Sequence, residues 1–178
     1  MTQDELIKNS EVLFDHWDIE EAIDDMADLI RQDLEHSNPV IICVMNGGMV
    51  FTSTLMSFLQ FPMQFDYCQT SRYGHSETGG ILKWKKKPEI DLTDRTVLIC
   101  DDIFDEGYTL EAIVEYCKSA GAKEIKTAVL LNKTEKNKAD IKPDYVGFGI
   151  EDLWVFGYGL DDAEYCRNLN EIRYKISA

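Results

Sequence analysis

Apolar residues in this chain fall into two patterns, short unbroken runs and stripes spaced by three and four. Val40 to Met45 and Val97 to Cys100 are unbroken runs, and Lys126 to Leu131 closes on a third. Strands buried on both faces of a parallel sheet have this character. Between the runs lie helical stripes. Ile19, Ala22, Ile23, Met26, Ala27, Ile30 and Leu34 trace one helix face, with Asp18 and Glu21 spaced as a capping box and Asn38-Pro39 as the break. Met49 to Leu59 predicts a second, largely apolar helix. Leu110, Ile113, Val114 and Cys117 predict a third, starting near Thr109 and stopping around Gly121, where a C-cap residue belongs. A strand after Pro62 and short strands over Tyr145 to Ile150 and Trp154 to Tyr158 complete the pattern. Such alternation implies right-handed crossovers and an α/β fold, a mainly parallel sheet flanked by helices.

Three of these strands end in polar clusters: Asn46-Gly47-Gly48, Asp101-Asp102 and Lys133. Ligands in open α/β sheets bind at that end of the strands, so the three clusters are expected to converge on one edge. The segment Val97-Leu-Ile-Cys-Asp-Asp-Ile-Phe-Asp-Glu-Gly-Tyr-Thr-Leu110 carries the most chemistry. Its loop leads into a helix N-terminus, where backbone N–H groups and the helix dipole hold a phosphate without a cationic side chain. Carboxylates at Asp101 and Asp102 suit vicinal ribose hydroxyls, because each ionised oxygen accepts a charge-assisted hydrogen bond. Asp105 is left for chemistry. An isolated Asp-Asp is ordinarily a solvated turn or a helix cap. Three carboxylates behind a buried strand and ahead of a turn glycine predict a sugar-phosphate site instead.

Residues 71–80, Ser-Arg-Tyr-Gly-His-Ser-Glu-Thr-Gly-Gly, are polar and glycine-bearing, and predict the mobile tip of a long hairpin returning through Ile81 to Trp84. Long polar excursions in small domains often serve as lids.

At 178 residues, 44% hydrophobic and 29% charged, the chain fits one globular domain. Thirty-three acidic residues against 18 Lys and Arg leave a net charge of −15, which argues against nucleic acid or an anionic membrane as partner. The same charge repels a polyphosphate, so a divalent cation, Mg2+, is expected to mask such a substrate. The cysteines at 43, 68, 100, 117 and 166 show no metal-binding or redox spacing and read as reduced thiols. No segment has the pattern of a secretory leader or a membrane span, and a cytoplasmic location is expected.

The acidic segment resembles the phosphoribosyl-pyrophosphate motif of type I phosphoribosyltransferases. The remaining motifs resemble the hypoxanthine-guanine branch of that family, in matching order through most of residues 39 to 169. Met45-Asn46-Gly47-Gly48 is similar to its pyrophosphate loop, and Leu130-Leu131-Asn132-Lys133-Thr134 to its purine-discriminating segment. Lys142-Pro143-Asp144-Tyr145-Val146-Gly147-Phe148, Gly157-Tyr158-Gly159-Leu160-Asp161 and Glu164-Tyr165-Cys166-Arg167 complete the series. The resemblance implies the type I phosphoribosyltransferase fold over residues 1–178, with a small hood supplied by the termini and a mobile hairpin lid. It implies a purine salvage enzyme that moves the 5-phosphoribosyl group from 5-phosphoribosyl 1-pyrophosphate to hypoxanthine or guanine, giving IMP or GMP and pyrophosphate.

Carried over by position, Glu106, Gly107, Tyr108 and Thr109 cradle the 5′-phosphate, Asp101 and Asp102 take the ribose hydroxyls, and Asp105 is the base near purine nitrogen 7. Asn46, Gly47, Gly48 and Arg167 meet the pyrophosphate. Lys133 donates to the oxygen at purine position 6, Trp154 stacks on the ring and Val155 supplies backbone contacts. Asp161 belongs both to the purine site and, with Asp101 and Asp102, to a magnesium site. Arg72 and Tyr73 belong to the lid. Asn46 stands where the family usually has a cation, and Glu106 and Tyr108 where it has small or hydroxyl residues and Lys. Xanthine preference, or a non-catalytic nucleotide sensor on the same fold, are the competing readings. The small-molecule substrates define its partners, and relatives of this kind form homodimers or homotetramers, for which the helix at 49–59 offers apolar surface.

Overall fold

A computed structural model of the protein describes residues 2–72 and 82–176. The elements run α1 (Gln3–Lys8), β1 (Ser10–Phe14), α2 (His16–Leu34), β2 (Val40–Met45), α3 (Gly48–Phe58), β3 (Gln64–Arg72), β4 (Leu82–Lys86), β5 (Thr96–Phe104), α4 (Tyr108–Ser119), β6 (Glu124–Lys133), β7 (Tyr145–Ile150), β8 (Val155–Phe156) and β9 (Ile172–Lys175). The main sheet has the order β4-β3-β2-β5-β6-β7, parallel except for β4, which returns antiparallel on β3. β2, β5 and β6 are neighbours pointing the same way, so the ends that carry Asn46, the acidic segment and Lys133 share one edge.

Val40, Ile41, Ile42, Val97, Leu98, Ile99, Cys100 and Val129 to Leu131 are all fully or almost fully buried. One face of the sheet packs on α2 and α3 through Ile23, Ile30, Phe51 and Leu55, and the other on α4 through Leu110, Ile113 and Cys117. Phe51, Leu55 and Leu59 are thereby taken up inside the chain, leaving Met49 as the exposed large apolar residue of the predicted 49–59 helix.

Three expectations need correction. The capping box of α2 lies one turn earlier than predicted: Asp15 accepts from the Trp17 and Asp18 N–H groups, and the Asp18 side chain accepts from the Asp15 N–H in return. Loss of one such cap costs about 1 kcal/mol. Asp15→Ala is therefore expected to lower the melting temperature by roughly 2–4 °C, measured by calorimetry, without altering any residue of the sheet edge. The predicted strand over Trp154 to Tyr158 is only Val155–Phe156, because Gly157, Tyr158 and Gly159 all take positive φ and turn the chain. β1 and β9, unpredicted, join β8 in a second, antiparallel sheet of order β1-β9-β8 built from both terminal segments. Phe14 of β1 stacks on Phe148 of β7 at 3.8 Å and ties the two sheets together.

Candidate active site

The acidic pair does not end its strand, as expected, but lies inside it. β5 stays paired with β2 only as far as Cys100, then continues along β6 to Phe104. β2 parts from β5 after Cys43, and Asp101 and Asp102 line the cavity beyond that point. The Met45–Asn46 peptide bond is cis. Gly47 packs so closely that a Cβ there would overlap the Asp102 carboxylate, which explains the glycine in physical terms. Gly48 opens α3, buried against the Cys100 carbonyl.

A cavity of about 320 Å³ fills this corner. Asp101, Asp102, Asp105, Glu106, Gly107 and Thr109 line it, together with Gly47 from the opposite loop. Gly107 is the N-cap of α4 with φ 90°, a conformation that costs a side chain about 1–2 kcal/mol. The positive end of the α4 dipole thus opens on the cavity. Glu106 makes an ion pair with Lys138 at 2.6 Å, which offsets its negative charge beside the helix start.

Asp101 is almost wholly buried, and its carboxyl is pushed well above the ordinary carboxylate range, first by burial and then by the charge of Asp102. Burial also raises Asp102, against hydrogen bonds from Asp101 and the Ile103 N–H and the longer-range pull of Arg167. Two adjacent carboxyls held this way gain from any ligand that brings hydroxyl donors or positive charge.

Lys133 is the last residue of β6, paired with Ile150 at the end of β7, and is 7% exposed. Its Nζ donates to Asp152 Oδ1 at 3.1 Å and lies 3.9 Å from Asp105 Oδ2. Lys133 and Asp105 therefore face each other across the ends of adjacent strands. Sequence reasoning missed Asp152 and Lys136. Lys136 Nζ lies 2.9 Å from Asp152 Oδ1 and 3.9 Å from Asp105 Oδ1, and its pKa is raised, chiefly by the hydrogen bond to Asp152. Among the described residues Asp105 Oδ1, although shielded from solvent, accepts no hydrogen bond.

The C-terminal turns bring the remaining candidates near. Gly159 lies against the Gly47 carbonyl, and Arg167 donates to the Gly159 carbonyl at 2.9 Å. Arg167 also pairs with Asp161 at 2.7 Å, while the other Asp161 oxygen accepts from the Glu164 N–H. Among the described residues no three acidic, His or Cys side chains stand close enough to share an ion by themselves. Asp161 is engaged with Arg167. Trp154 is 59% exposed, with Lys175 Nζ 5.2 Å from its ring centre, and Val155 is buried in β8. The Asn46 side chain accepts from Gln69 at 3.3 Å. Tyr108 is the first residue of α4, and Arg72 the last of β3. Tyr73 and the rest of the expected lid through Gly80 lie outside the described residues.

The chain is similar in sequence and fold to known proteins. Residues 9–163 match the model of the phosphoribosyl transferase domain. The chain is 35% identical over 159 residues to a hypoxanthine-guanine phosphoribosyltransferase of Bacillus subtilis, covering 89% of this chain and 88% of the relative. It is 32% identical over 171 residues to a hypoxanthine-guanine-xanthine phosphoribosyltransferase of Tritrichomonas foetus, covering 95% and 93%. Among solved structures, a hypoxanthine-guanine phosphoribosyltransferase from Bacillus anthracis superposes with a TM-score of 0.90 at 32% identity, covering 93% of this chain and 98% of that one. A hypoxanthine phosphoribosyltransferase from Staphylococcus aureus gives 0.92 at 28% identity, covering 99% and 97%.

Proposed function

The chain belongs to the phosphoribosyltransferase family, on its hypoxanthine-guanine branch, and from that premise we propose that it transfers the 5-phosphoribosyl group of 5-phosphoribosyl 1-pyrophosphate to hypoxanthine and guanine. One observation carries the reading: an acidic, helix-capped cavity opens beside Asp105, and Asp105 in turn faces the buried Lys133.

The 5′-phosphate sits at the start of α4, on Glu106 to Thr109, and the ribose hydroxyls donate to Asp101 and Asp102. Pyrophosphate lies against Asn46, Gly47 and Gly48, with Arg167 as its cation. Because Asn46 brings no charge, the backbone of this loop and Arg167 carry more of the binding than a lysine loop requires. The purine lies between Lys133 and Trp154, with Val155 and Asp161 at its edge. As the bond from ribose C1 to pyrophosphate breaks, purine nitrogen 9 forms the new bond from the opposite face, and the proton on nitrogen 7 passes to Asp105. The chain otherwise contributes orientation, charge placement and exclusion of water, which competes for the same electron-poor centre.

Magnesium, when bound, neutralises the pyrophosphate charge. Asp101 and Asp102 would hold such an ion, since their carboxyls are raised chiefly by burial and gain from a cation. The test is pyrophosphate release on mixing enzyme, 5-phosphoribosyl 1-pyrophosphate and a purine. Release is expected with hypoxanthine or guanine, at least about 100-fold slower with adenine, abolished by a chelator and restored by Mg2+. No release with hypoxanthine, guanine or xanthine overturns the reading.

The proposal extends to a cytoplasmic enzyme, without nucleic acid or membrane partners, assembling as a homodimer or homotetramer. No helix among the described residues is long and apolar enough to cross a membrane, and Met49 on α3, 48% exposed, offers apolar surface for self-association.

A further inference from the structure

We propose that Asp152 is a positioning residue that holds two ammonium groups away from Asp105 and so keeps that carboxylate open for the purine proton. The inference rests on the proposed function for its catalytic consequence, but not for its structural one. Lys133 and Lys136 both reach Asp105, one toward each carboxylate oxygen, and both stop at 3.9 Å, beyond hydrogen-bond range. The same two ammonium groups are within hydrogen-bond distance of a single oxygen, Asp152 Oδ1, at 3.1 and 2.9 Å. Asp105 Oδ1 is shielded from solvent and accepts no hydrogen bond among the described residues.

A carboxylate with a lysine facing each oxygen is expected to draw both into hydrogen bonds, since a charge-assisted hydrogen bond is worth more than an ion pair at 3.9 Å. Asp152 supplies the competing acceptor. It is 47% exposed, follows β7 by two residues and carries no part of the core, so its charge is available for this competition. The arrangement also restrains Lys133: one of its three donors is fixed on Asp152, which leaves two for an acceptor on a ligand. Without Asp152, both lysines are drawn onto Asp105, which buries the base in ion pairs and turns Lys133 away from the purine.

Asp152→Ala is expected to lower kcat about tenfold and to raise the hypoxanthine KM by a similar factor. In the double variant Asp152→Ala/Lys136→Met one competing ammonium is gone, and kcat should recover about threefold or more over Asp152→Ala, a coupling that a merely structural loss does not produce. Unchanged kinetics in Asp152→Ala, or a loss that the second substitution leaves intact, overturns the inference. A crystal structure of Asp152→Ala decides it independently of turnover: Lys133 or Lys136 Nζ is expected within hydrogen-bond distance of the Asp105 carboxylate, and ammonium groups that stay apart overturn it. Failure of wild-type enzyme to release pyrophosphate strikes the proposed function instead.

Discussion

Asp105→Asn is expected to lower kcat by about 100- to 1,000-fold while changing the KM for hypoxanthine and for 5-phosphoribosyl 1-pyrophosphate by only a few-fold. The amide has nearly the shape of the carboxylate, so packing against the cavity wall survives. What it lacks is the capacity to accept the proton that nitrogen 7 must lose as nitrogen 9 bonds to ribose. That need arises only as the transition state forms, and an interaction made only there is lost from kcat. In the proposed binding mode the ribose and phosphate contacts lie on Asp101, Asp102 and the start of α4, all part of the cavity lining that the substitution leaves in place. Steady-state kinetics with both substrates varied measure the split. A rise in KM accounting for the whole effect would show Asp105 to be a binding group and remove it from the chemistry.

The sequence made the inner half of this machine legible and the outer half obscure, for identifiable reasons. β2, β5 and β6 are buried on both faces, so their apolar runs stand out, and parallel neighbours necessarily deliver their ends to one edge. Gly107 was readable because few other residues accept a positive φ at a helix start. The terminal sheet was not, since β1 and β9 are short, half-exposed strands whose pairing joins residues more than 150 positions apart. The acidic pair was placed one step too late because the pattern shows where apolar residues stop, whereas β5 goes on along β6 after β2 has left it. Asp152 and Lys136 acquire meaning only from the adjacency of β6 and β7, which sets two ordinary surface charges around the end of Lys133. An acidic residue just past a strand that neighbours a lysine-ended strand is the signal that was available.

Lys133→Met should cost about 100-fold in kcat/KM for hypoxanthine, most of it in KM, and should shrink the preference for hypoxanthine over adenine by a similar factor. In the proposed binding mode the purine oxygen at position 6 accepts from the Lys133 ammonium, whereas the amino group of adenine presents a second donor that the ammonium cannot satisfy. Methionine keeps most of the volume of a side chain that is 7% exposed, so cavity effects are small and the difference lies in the charge and its hydrogen bonds. Asp152 keeps Lys136 as its partner in this variant, so neither carboxylate is stripped of all nearby positive charge. Adenine is therefore expected to gain relative to hypoxanthine without becoming a good substrate, because methionine brings only a weak sulfur acceptor for its amino group. Parallel assays of pyrophosphate release with the two bases, alongside melting curves to verify folding, measure this. A variant that loses activity while discriminating as sharply as the parent would move the reading of position 6 away from Lys133, to the backbone around Val155.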